Sequence, residues 1–80
     1  MTYFIYMLCC GDGSFYTGYT HDLDKRLKQH QSGQGGRYTR SRQPVELIYS
    51  EELNEKKAAI LREREIKKMR KKEKAELIKG

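Results

Sequence analysis

The sequence predicts a small α+β domain: a three-stranded antiparallel sheet flanked by helices, in the order β-β-α-β-α with a further helix at the C-terminal end. Three observations carry this. Tyr3 to Cys10 (YFIYMLCC) is apolar at almost every position, as expected of a central strand buried on both faces. Gly11-Asp12-Gly13 is a turn signal, and Ser14 to Tyr19 (SFYTGY) is a second strand run, so the two strands form a hairpin. Helical periodicity begins only after these two strands, which favours an α+β sheet over a doubly wound one.

The remaining elements follow in order. Asp22 caps a helix running to about Ser32, with Leu23 and Leu27, at i and i+4, as its apolar stripe. Gly33, Gly35 and Gly36 end it and open a flexible loop that carries Arg37, Tyr38, Arg40 and Arg42 and closes at Pro44. Val45 to Tyr49 (VELIY) is a third strand, placed at an edge by the preceding proline. Asn54 is the expected cap of the last helical region, whose inward face is drawn from Ala58, Ala59, Leu61, Ile66 and Met69. A break near Arg70 precedes a short continuation through Ala75, Leu77 and Ile78.

Eighty residues are one domain's worth of chain, spanning 1–80, with no repeat and no linker. Charged residues make up 35% of the chain and the formal net charge is +6, a balance that favours polyanionic partners: nucleic acid, DNA foremost, ahead of an anionic membrane. No segment approaches the roughly 20 apolar residues of a membrane span, and the N-terminal run lacks the features of a signal peptide. Cys9 and Cys10 are adjacent, too close to bridge each other and too few for a zinc site; they fit packing in a reducing, cytoplasmic setting. A monomer is expected.

The groups that carry chemistry are spread along the chain. Folding the hairpin about residues 11–12 puts Tyr6 nearly opposite Tyr16, so both phenols share a face of the sheet. Arg26 and His30, at i and i+4, lie on one side of the first helix and are placed at the border of core and solvent. Glu63 borders the buried face of the last long helix, where a carboxylate needs a partner: an ion pair with Arg26, or a divalent cation. One carboxylate completed by water and phosphate suits Mg²⁺. Together these groups can cleave a phosphodiester. A tyrosine, or His30 acting through it, would take a proton from water; Arg26 would stabilise added negative charge; Glu63 would hold the metal. A phenol near its ordinary pKa of about 10 needs nearby positive charge to serve as a base at neutral pH.

At these residues the chain resembles the GIY-YIG nuclease superfamily, in particular its small stand-alone bacterial members, over nearly its whole length. FIY at 4–6 stands for the first motif, with Phe4 in place of glycine, and YTG at 16–18 for the second, with Thr17 in place of isoleucine. The segment THDLDKRLKQH, 20–30, is similar to the family's helix and puts Arg26 on its arginine and His30 on its histidine. ILREREIKK, 60–68, is similar to the helix that bears the metal-binding glutamate, which falls on Glu63; GRYTRSRQPVELIYSE, 36–51, also looks like the stand-alone group. The resemblance implies Mg²⁺-dependent DNA cleavage, of a repair or processing kind, with either tyrosine activating water and Tyr6 the usual choice. Members that cut chosen sites generally carry an attached recognition domain. Here Arg37, Tyr38, Arg40 and Arg42, with Lys67 and Lys68 on the lysine-rich helix, are left to grip phosphate without reading sequence. Two other readings use the same chain: a noncatalytic nucleic-acid-binding module, and a protein-interaction subunit docking through its C-terminal amphipathic segment.

Overall fold

The structure, a computed structural model, describes residues 1–80. Strand β1 (Tyr3–Cys9) lies at the centre of an antiparallel sheet of order β2-β1-β3, with β2 (Phe15–Thr20) and β3 (Glu46–Leu53) at its edges. Both edge assignments follow from the hydropathy of β1: its odd and even residues are equally apolar, so both faces must be covered. Ile5 and Met7 join Ala59 and Ile66 in one buried cluster, beneath helix α3 (Lys56–Lys67). Tyr6, Leu8 and Cys10 join Val45 in a second, on the other face, where Leu23 and Leu27 of helix α1 (Leu23–Gln31) pack against them. A register shift between Met7 and Leu8 in the β1–β3 pairing leaves Ile48 as an extra residue, so that Ile48 and Tyr49 both pack on the first cluster while Leu47 packs on the second.

Several expectations are corrected. The hairpin turn is longer than the glycines alone suggested, with the Cys10 amide donating to the Ser14 carbonyl. Tyr6 therefore pairs with Gly18, and Tyr16 with Leu8. The shift is two residues, which preserves the face, so the phenols remain on one side as diagonal neighbours rather than opposite partners. The glycine-rich stretch leads not into an open loop but into a one-turn helix, α2 (Arg37–Arg40). Glu55, not Asn54, holds the N-cap position of α3. Leu61 points outward, 55% exposed. The break at Arg70 is real: its amide is capped by Glu73, and helix α4 (Lys71–Lys79) starts there. Leu77 and Ile78 of α4 pack, partly buried, with Met69 on the first cluster.

Candidate active site

The site is built where β2 forms an edge of the sheet. Helix α1 covers one face there and α3 the other, and a cleft of about 370 Å³ lies between them, lined by Tyr6, Tyr16, Arg26, Lys56 and Glu63 among others. Tyr6 is on the central strand, one strand removed from that edge. Its phenol reaches past β2 because its partner is Gly18: a β-carbon there would stand 2.5 Å from the Tyr6 hydroxyl. A larger hollow, about 520 Å³, runs along the outer side of α1 between Asp22, Lys28 and Gln34. It is lined by no hydrophobic residue, whereas the smaller cleft gathers phenols, a guanidinium and a carboxylate.

Asp22 sets the start of α1 by accepting from the Lys25 amide, and the helix then projects Arg26 into the cleft and His30 beneath it. His30 is not at a solvent border, as its pairing with Arg26 suggested; it is 1% exposed. It stands seven residues after Leu23, two helical turns on, and so falls on the apolar stripe itself. Its Nε2 lies 2.9 Å from the Tyr6 hydroxyl, and its Nδ1 lies 2.8 Å from Thr39 Oγ1. Thr39 comes from α2 and is fully buried. Gln43 fastens the same corner, its side-chain amide donating to the His30 and Thr39 carbonyls at 2.6 and 2.9 Å. Gly35 passes so close to the imidazole that any side chain would collide with the ring.

Burial dominates the electrostatics of this pair. Desolvation, and then the Arg26 charge, depress the His30 pKa from 6.5, so the ring is held neutral. Desolvation raises the Tyr6 phenol well above its usual value; Arg26 opposes this, while Glu63 adds to it. The Tyr16 ring packs beside both, with centroids 6.3 Å from Tyr6 and 5.1 Å from His30.

Glu63 faces the cleft with a side chain 17% exposed and makes no ion pair with Arg26. Its partner is Lys67, one turn on, at 3.4 Å. The neighbouring residue fixes the helix: Arg62 grips Glu51 of β3 through Nη2 at 2.7 Å and Nε at 2.9 Å, and Tyr49 donates to the same carboxylate. No group of three or more histidine, cysteine or acidic side chains gathers anywhere to hold a metal, and Glu63 is the one carboxylate that lines the cleft. A single hard-oxygen ligand open to water fits a cation that keeps most of its hydration, as Mg²⁺ does, and does not fit an all-protein cage.

The basic segment divides. Arg37, Tyr38 and Arg40 are exposed on α2, and the Tyr38 ring meets Tyr16 at 5.7 Å. Arg42 is occupied within the fold: it stacks 3.9 Å over Tyr38, donates to the Tyr38 carbonyl and pairs with Asp12 at 3.0 Å. Lys67 and Lys68 are exposed at the end of α3. Sequence reasoning found Tyr6, Tyr16, Arg26, His30 and Glu63, quoted Gly18 within the YTG motif without giving it a role, and missed Gly35, Thr39, Gln43 and Lys56. Only Gly18 had a signal: it stands in the middle of a strand, where glycine marks a close approach.

The sequence model of the GIY-YIG catalytic domain matches residues 2–76. A UPF0213 protein of Staphylococcus saprophyticus is 46% identical over 76 residues, covering 95% of this chain and 93% of its own. Solution NMR structures of a UPF0213 protein from Bacillus halodurans and of a protein from E. faecalis superpose with TM-scores of 0.64 and 0.67, at 42% and 38% identity; each match covers 99% of this chain and 84% of the other. The α+β sheet seen here is therefore the fold of those structures too, and the tyrosines, arginine and glutamate that share its edge cleft lie within the matched span. This chain belongs to the GIY-YIG family.

Proposed function

We propose that the chain is a divalent-metal-dependent endonuclease that hydrolyses DNA phosphodiesters with Mg²⁺, as a monomer acting in the cytoplasm on repair or processing substrates. One observation carries the reading: Tyr6, Arg26 and Glu63, from the central strand and from helices on opposite faces of the sheet, line one cleft, with a buried neutral imidazole directly behind the phenol.

The raised pKa of Tyr6 decides how its phenol acts. A standing phenolate is out of reach at neutral pH, so Tyr6 accepts the proton of water only as it hands its own to His30. His30 is arranged for this: with Nδ1–H donating to Thr39 Oγ1, Nε2 is left as an acceptor facing the Tyr6 hydroxyl. Tyr16 borders the same space and orients the water or the phosphate. Arg26 binds a nonbridging oxygen and offsets the charge that builds on phosphorus. Glu63 would hold the Mg²⁺, which supplies Lewis-acid stabilisation of the leaving oxygen when bound. Lys67 is exposed and its pair with Glu63 is of the weak i,i+4 kind, so it swings aside at little cost. Arg37, Tyr38, Arg40 and Lys68 hold flanking phosphates; Arg42 and Lys67 contribute charge while serving Asp12 and Glu63.

The test is cleavage of supercoiled plasmid and of branched DNA with Mg²⁺, comparing the wild type with Arg26→Ala and Glu63→Ala. The wild type should cut and both variants should fail. Equal cutting by all three would reject this site. Binding that falls steeply with salt, without cleavage under any divalent cation, would instead favour a noncatalytic nucleic-acid-binding module, which the exposed cations of α2 support.

A further inference from the structure

We infer that Lys56 is a substrate-binding residue that grips a phosphate flanking the scissile one, so that the cleft takes a strand of several phosphates and not an isolated phosphodiester. The inference rests on the hydrolytic reading above and adds a strand-binding residue to that site. Lys56 opens α3 and lines the cleft together with Arg26 and Glu63. The one other lysine or arginine that lines the cleft, Arg26, belongs to its chemistry, and Lys67 near it is paired with Glu63. Lys56 makes no ion pair and no side-chain hydrogen bond, and no acidic residue occupies the first turn of its helix. A lysine held at the wall of a cleft with nothing to neutralise it is a lysine left for an anion.

Its position on α3 says which anion. Lys56 and Glu63 are seven residues apart, two helical turns on the same side, and so about 10 Å apart along the axis. Phosphates of one strand advance by about 3.4 Å per nucleotide along the axis of a duplex, and lie farther apart than that in space. With the scissile phosphate between Glu63 and Arg26, the ammonium of Lys56 therefore meets a phosphate one to three nucleotides away. The two walls then divide the labour. Arg26, on α1, faces the reacting phosphate, while α3 carries the metal ligand at one end of its cleft-facing stripe and a strand clamp at the other.

The experiment compares Lys56→Met and Lys56→Arg with the wild type on two substrates: bis(p-nitrophenyl) phosphate, which has one phosphodiester and nothing beyond it, and a short DNA oligonucleotide. Oligonucleotide binding is measured separately in Ca²⁺ as a function of salt. Lys56→Met should raise KM for the oligonucleotide relative to KM for the small diester by roughly five- to tenfold at about 50 mM salt, and lower the salt slope of binding by about 0.7–0.9. Lys56→Arg should restore both. An equal change in KM on the two substrates would overturn the inference, since Lys56 would then act at the scissile phosphate; so would an unaltered salt slope. If the wild type hydrolyses neither substrate, the hydrolytic reading fails by itself, and the salt slope still decides the role of Lys56.

Discussion

Gly18 and Tyr6 are register partners across β2 and β1, and the space of the missing Gly18 side chain is filled by the Tyr6 phenol. A tyrosine on a central strand would otherwise be sealed from solvent by the edge strand. Gly18→Ala should therefore displace the phenol and cost about 1–3 kcal/mol in stability, as overpacking does. Urea unfolding reads the stability loss, and plasmid cleavage should fall with it by more than the unfolded fraction explains.

His30 is neutral in the fold because burial depresses its pKa below the ordinary 6.5. A base whose pKa is lowered by folding leaves stability intact above about pH 6.5; below that the unfolded chain takes up protons first, and stability is lost as pH falls through the lowered folded value. Urea unfolding between pH 5 and 8 should show this acid-side loss, and His30→Gln should flatten it. His30→Ala, which leaves a cavity and orphans Tyr6 and Thr39, should cost on the order of 3 kcal/mol.

Glu63→Gln should abolish divalent-cation binding at the cleft, read by Mn²⁺ titration, and lower cleavage at least about 100-fold. Because its only ion-pair partner is the exposed Lys67, one helical turn on, stability should change little, by less than about 0.5 kcal/mol.

Arg62 ties α3 to β3 through Glu51, one residue before Glu63. The Arg62 hydrogen bonds hold the Glu51 carboxyl below its ordinary range. A lowered carboxylate pKa contributes stability above about pH 4.5 that is lost as pH falls through the depressed value. Arg62→Met should cost about 1–3 kcal/mol at neutral pH, remove part of that acid dependence, and reduce cleavage without touching the cleft. Denaturation followed at two pH values separates these effects.

Thr17, where the family motif has isoleucine, buries a hydroxyl with no hydrogen-bond partner. Thr17→Val keeps the branched shape and removes the unpaired oxygen. It should stabilise the fold by about 1 kcal/mol, read by thermal unfolding, with cleavage unchanged.

The chain order settled a great deal by itself. The two-faced hydropathy of Tyr3–Cys10 placed β1 at the sheet centre, and side-chain alternation put Tyr6 and Tyr16 on one face whatever the turn length, because a two-residue slip preserves parity. Helical spacing put Arg26 and His30 on one side of α1 and Glu63 at the border of the buried face of α3. What spacing along one element cannot express is which distant segment returns to cover it. Only the packed structure showed α2 closing over His30 through Thr39 and Gln43, Lys67 rather than Arg26 beside Glu63, and Lys56 at the cleft wall. Those relations depend on contacts between elements far apart in sequence, and burial, which decides the proton chemistry of Tyr6 and His30, is a property of all of them together.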